Sequence, residues 1–75
     1  MKFEIFNRAD VDINIILEPV GDSVIIPPET IGGIELGNGS GVRIDVYQMN
    51  QMNIWTEGHV KVTVGDSTME FSPMT

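Results

Sequence analysis

Apolar residues recur at every second position along most of this chain. In Lys2 to Asn7, Phe3 and Ile5 alternate with Glu4 and Phe6. From Asp12 to Glu18, Ile13, Ile15 and Leu17 fall on one side and Asn14, Ile16 and Glu18 on the other. Val42, Ile44 and Val46 oppose Arg43, Asp45 and Tyr47, and Val60, Val62 and Val64 oppose Lys61 and Thr63. A period of two marks strands with one dry and one wet face. Shorter runs, Ser23 to Pro27, Ile31 to Leu36, Met52 to Thr56 and Thr68 to Phe71, add further strands. No stretch sustains a helical period. Turn residues separate the runs at Gly21-Asp22, Pro27-Pro28-Glu29, the glycine-rich GNGSG of residues 37 to 41, Glu57-Gly58 and Gly65-Asp66.

The pattern predicts one all-β domain over residues 1–75, built from about seven or eight short antiparallel strands. The expected form is a β-sandwich or a jelly-roll-like barrel. Its core is expected from Phe3, Ile5, Ile13, Ile15, Leu17, Val24, Ile26, Ile34, Leu36, Val42, Ile44, Val46, Val60, Val62, Val64 and Phe71. Val20-Gly21-Asp22-Ser23 recurs as Val64-Gly65-Asp66-Ser67, and both read as type II′ hairpin turns with Gly at the first central position. Met52 to Trp55 leaves the choice of inward residue open between Ile54 and Trp55. Trp55 is expected to plug the core, because a large aromatic suits a small domain. Tyr47 is expected to be exposed.

Size and composition narrow the function. A chain of 75 residues buries only about 60% of its unfolded surface, so packing alone stabilises it narrowly. It has no cysteine and one histidine, His59, which excludes disulfides and thiolate zinc sites and leaves no common histidine framework. Eleven acidic and 4 basic residues give a formal net charge of -7. With Lys2, Arg8, Arg43 and Lys61 scattered, nucleic acid and anionic membrane surfaces are disfavoured as partners. The start lacks the basic, apolar and small-residue succession of a signal peptide, and no apolar run approaches the roughly 20 residues of a membrane span. The expected location is cytoplasmic.

The stretch LEPVGDSVIIPP, residues 17 to 28, concentrates chemistry and punctuation together. Pro19 holds Glu18 extended and cannot donate to a ladder. Gly21-Asp22 turns the chain, and Pro27-Pro28 stops the following strand. Leu17-Glu18-Pro19, Gly21-Asp22 and Ile26-Pro27-Pro28 together resemble a pattern in small, uncharacterised bacterial β-rich proteins. Those proteins begin with a short strand, a turn carrying Asn and Asp (here Asn7 and Asp10) and a strand ending in Glu-Pro. The likeness covers about the first 30 residues. It departs at Pro28-Glu29, where the pattern has Pro-Gly, and ends past Glu35. It implies a bacterial β-fold and transfers no activity.

Candidate chemistry is sparse. Glu18 and Asp22, close across one turn, could form a paired-carboxylate site for a cation or acid–base work, although surface-turn carboxylates are ordinarily solvated. His59 is the one histidine base and shares the wet face of its strand with Lys61. Asp10, Asp12 and Asp22 lack calcium-loop spacing. Met49, Met52 and His59 supply soft ligands, but a blue-copper centre needs a cysteine and a second histidine. GNGSG resembles a phosphate loop, yet it joins two strands in acidic surroundings instead of opening a helix. Tyr47, Trp55 and Asn53 offer two aromatics and an amide, a set that suits a sugar or peptide.

These readings converge on a non-enzymatic binding or structural module of a bacterial protein assembly, without metal or cofactor. A protein partner or homo-oligomer is expected, since open strand edges and a thin core favour association. A carbohydrate- or peptide-binding domain using Tyr47, Asn53 and Trp55 is the alternative. A small hydrolase using Glu18, Asp22 or His59 is a second.

Overall fold

Eight strands follow one another in the computed structural model, which describes residues 1–19, 21–37, 41–48 and 50–71. They are β1 (Lys2–Asn7), β2 (Ile13–Glu18), β3 (Asp22–Ile26), β4 (Thr30–Leu36), β5 (Arg43–Tyr47), β6 (Gln51–Trp55), β7 (Val60–Val64) and β8 (Ser67–Phe71). Each begins and ends close to where the alternation placed it. Asn38, Gly39 and Ser40 of the glycine-rich stretch, Met49 of the soft-ligand set, Val20 of the repeated turn and the tail from Ser72 lie outside the described residues.

The strands form two four-stranded sheets, ordered β1-β4-β7-β8 and β3-β2-β6-β5. This is an open sandwich, and the barrel form of the expectation is set aside. The first sheet is antiparallel throughout. The second is not. β2 and β6 run parallel, with Ile15 beside Met52 and Leu17 beside Ile54. The expectation of wholly antiparallel pairing fails here for a topological reason. β2–β3 and β5–β6 are hairpins separated by β4, which crosses into the other sheet. When the second hairpin returns it docks its β6 against β2, and the crossing sets its direction, not any local residue.

Between the sheets lies one core. Ile15, Leu17, Val24, Ile26, Ile34, Leu36, Ile54, Val60 and Val62 are buried, with Phe3, Ile5, Ile13, Val42, Met52, Val64 and Phe71 packed against them. Each fully buried aliphatic side chain contributes about 1.5–3 kcal/mol by leaving water. Gly32 belongs to this packing, because the side chain of Ile26 fills the place where its Cβ would stand. Two expected core residues are corrected. Ile44 and Val46 have inward register, opposite Ile54 and Met52, but remain 41% and 67% exposed. β5 is an edge strand, and too little of the opposite sheet reaches over it. A third correction concerns β6. Ile54, not Trp55, is the core plug, with no exposure at all.

Registers and corners show how the chain enforces this arrangement. Across the outer face of the first sheet, Lys2 stands opposite Glu35, Glu35 opposite Lys61, and Lys61 opposite Glu70. Alternating signs in one row favour this register over a slipped one. Gly65, at φ 60, begins the two-residue turn before Val64 pairs with Ser67, as a type II′ turn requires. The turn after β2 is different. Asp22 already lies in β3, opposite Leu17, and Gly21 N–H donates to Leu17 O at 2.7 Å. The expected Gly21-Asp22 centre is therefore corrected: Asp22 belongs to the strand, while Gly21 and Pro19, which cannot extend the ladder, are turn residues. At the next corner Glu29 adopts φ 56 after Pro28, the type II turn position that glycine usually occupies.

Asn7 ties these corners together. It is fully buried. Its Nδ2 donates to Val11 O at 2.8 Å and to Ile26 O at 2.9 Å, while its Oδ1 accepts from Ala9 N–H at 2.9 Å. Its backbone carbonyl accepts from Glu29 N–H at 2.8 Å. Replacing Asn7 by Ala strands three backbone groups, so we expect a loss of about 2–4 kcal/mol in urea unfolding, and Asn7→Asp fares similarly because its carboxylate faces two carbonyl oxygens. Glu29→Gly should instead raise stability by about 0.5–1 kcal/mol. The gain from relieving a left-handed non-glycine residue exceeds the entropy cost of glycine. Thermal unfolding of the two Asn7 variants beside Glu29→Gly checks both signs.

Candidate functional site

The outer face of the second sheet gathers the polar and aromatic side chains that the alternation left outside. Tyr47 pairs with Gln51 across three intervening residues. That count places Gln51, Asn53 and Trp55 on the side of Tyr47, Asp45 and Arg43. β2 adds Asn14, Ile16 and Glu18, which pair with Gln51, Asn53 and Trp55. Tyr47, Asn53 and Trp55, singled out from the sequence, thus share one face. Tyr47 is 48% exposed, as expected. It and Trp55 stand at opposite ends of the hairpin, roughly 13 Å apart by the rise of four strand residues.

Hydrogen bonds organise the strip between them. Gln51 Nε2 donates to Asn53 Oδ1 at 3.2 Å, and Asn53 Nδ2 donates to Glu18 Oε2 at 3.4 Å. Asn53 is itself buried, at 8% exposure. It forms the floor that fixes Gln51 and Glu18, which are half-buried. This role needed the parallel β2–β6 pair, so Glu18 could not be foreseen as its partner. Gln51, with Asn50 and Asn53, already edged the aromatic pair in the sequence, and its pairing with Tyr47 places it on that face.

At the other end, the Arg43 guanidinium lies 5.0 Å from the centre of the Trp55 ring. This cation–π contact covers the indole, and Arg43 Nε also reaches Asp45 Oδ1 at 3.3 Å. The Trp55 indole N–H is buried with no hydrogen-bond partner among the described residues. Beside it opens a cleft of about 560 Å³ bounded by Pro19, Val42, Arg43, Trp55, Thr56 and Glu57. A larger hollow of about 660 Å³ lies over Gly33 on the first sheet. That hollow holds Lys2, Glu35 and Lys61 of the charged row and Phe6, whose ring Arg8 covers at 4.4 Å. Its charged residues are set opposite one another by register, whereas the second sheet carries the hydrogen-bonded amides, so we place the candidate site there.

The other candidate residues are dispersed. Asp22 pairs with Leu17 and so takes the inward side of the sheet at its rim, whereas the next residue along β2, Glu18, faces outward. The two carboxylates therefore do not form a pair. His59 is exposed just before β7 in the other sheet, where its carbonyl accepts from Gly37 N–H at 2.9 Å. Glu18, Asp22 and His59 thus do not converge. Met52 packs against the core, whereas His59 is exposed. Among the described residues no cluster of three His, Asp or Glu side chains could hold a metal ion.

No family model matches the chain, and neither a curated protein nor a solved structure does.

Proposed function

We propose that this chain is a non-enzymatic binding module whose ligand surface is the outer face of β2, β6 and β5. One observation carries the reading: Tyr47, Asn53 and Trp55 lie on one face, joined by the Gln51–Asn53–Glu18 hydrogen bonds. Planar amides and carboxylates held in fixed orientation, with an aromatic at either end, match the hydroxyls and C–H faces of an extended neutral glycan. The strip is long and shallow, which favours an extended chain over a compact metabolite. Arg43 would swing off Trp55 when a sugar ring stacks there, and the unpartnered indole N–H would gain an acceptor. The acidic excess of the chain favours a neutral or cationic ligand over an anionic one.

Titration with soluble glycan oligosaccharides, followed by Trp55 fluorescence and by amide shifts of β5 and β6, tests this reading. Binding is expected to perturb both. Tyr47→Ala and Gln51→Ala should each weaken it about tenfold or more without changing the far-ultraviolet dichroism. Absence of any response across neutral oligosaccharides, or a response confined to the first sheet, would reject it.

A further inference from the structure

The free edge of β5 carries a sequence that is complementary to itself. Val42-Arg43-Ile44-Asp45-Val46 reads the same in both directions about Ile44, except that Arg43 is answered by an acid of opposite charge. Let two copies of β5 pair antiparallel about a two-fold axis at Ile44. Arg43 then faces Asp45 of the second copy, and Asp45 faces its Arg43. On the other side Ile44 meets Ile44, and Val42 meets Val46. The alternation already assigns these sides, since Arg43 and Asp45 share the outer face with Trp55 and Asn53 while Ile44 shares the inner face with Ile54. Tyr47 would lie over Gly41 of the second copy, where nothing in the chain occupies the space around a Cβ.

The same edge is where the sandwich fails to close. The bond from Asn7 of β1 to Ile26 of β3 brings those two edges together, which leaves β5 and β8 at the opposite side. There the inward-registered Ile44, Val46 and Met69 remain 41%, 67% and 37% exposed. Nothing among the described residues pairs with the outer edge of β5. The usual edge protections are weak here: β5 has no proline and no bulge, and its single cation is matched by its own acid.

We infer that the chain forms a two-fold dimer through antiparallel pairing of β5 with β5, joining the two second sheets into one eight-stranded sheet. Main-chain hydrogen bonds and burial of Ile44 and Val46 supply the affinity. The reciprocal Arg43–Asp45 pairs supply register, because exposed ion pairs add little energy but like charges placed opposite are costly. A one-residue slip would set inner residues against outer ones. A contact this short gives a weak, concentration-dependent dimer. β1 offers a briefer Lys2/Glu4 version of the same symmetry, but its inward residues Phe3 and Ile5 already pack on the core. The inference does not depend on the glycan reading.

Charge exchange provides the test. Wild-type protein in sedimentation velocity should pass from monomer to dimer as concentration rises toward about 1 mM. Arg43→Asp alone places acids opposite acids, and Asp45→Arg alone places cations opposite cations. Each should weaken association about tenfold or more. Mixing the two variants restores both pairs in a heterodimer, and combining R43D with D45R in one chain restores the homodimer. Dichroism confirms that each variant is folded, and the mixture and the double variant separate lost pairing from lost structure. A wild-type chain that stays monomeric overturns the inference. So do single variants that associate as the wild type does, which would move the contact to another edge, or a mixture that fails to recover.

Discussion

A single buried amide, that of Asn7, ties the two sheets together along one edge of the core they share. β1 and β3 belong to different sheets, and neither can pair with the other through its backbone. The Asn7 side chain bridges them by bonding Ile26 O, and it fastens the intervening loop through Val11 O and Ala9 N–H. Its own carbonyl receives Glu29 N–H, so the corner that returns the chain to the first sheet starts from the same residue. In a domain with no disulfide and a thin core, such a bond matters more than its net energy suggests. The groups it satisfies would otherwise be buried unpaired.

With that side of the sandwich closed, the opposite side stays open. The two sheets meet tightly where Ile26 fills the space above Gly32. At β5 the inward aliphatic residues run out beyond their cover. The domain thus presents two surfaces of different character. One is a flat face of amides, acids and aromatics on β2, β6 and β5. The other is an apolar, hydrogen-bonding edge along β5. They adjoin along one strand, so a dimer formed at the edge would extend the face and leave it uncovered. The proposed binding face and the proposed dimer edge therefore do not exclude each other.

The parallel contact between β2 and β6 makes the face possible. It draws Glu18 to Asn53 and sets Asn14 beside Gln51, residues more than thirty positions apart. A wholly antiparallel sheet with another strand order would have left the amides of β6 beside different neighbours. The strip is thus a product of how two hairpins dock, while each hairpin by itself supplies only half of it.

Much of this was legible in the chain. The period of two gave each strand and, except in β6, its inward side, because a one-residue error would turn buried Ile and Val into water. Pro19, Pro27 and Gly65 marked where pairing must stop or turn, through their fixed or permissive backbone angles. The sharing of one face by Tyr47, Asn53 and Trp55 was implicit in the spacing across the β5–β6 turn. Tertiary structure alone decided the rest. Strand neighbours, the parallel pair and the partial exposure of Ile44 and Val46 depend on which elements meet across long separations. Local alternation is blind to that. Ile54 took the core instead of Trp55 because side-chain size can favour a residue for burial, but the register of its hairpin fixes which way it points.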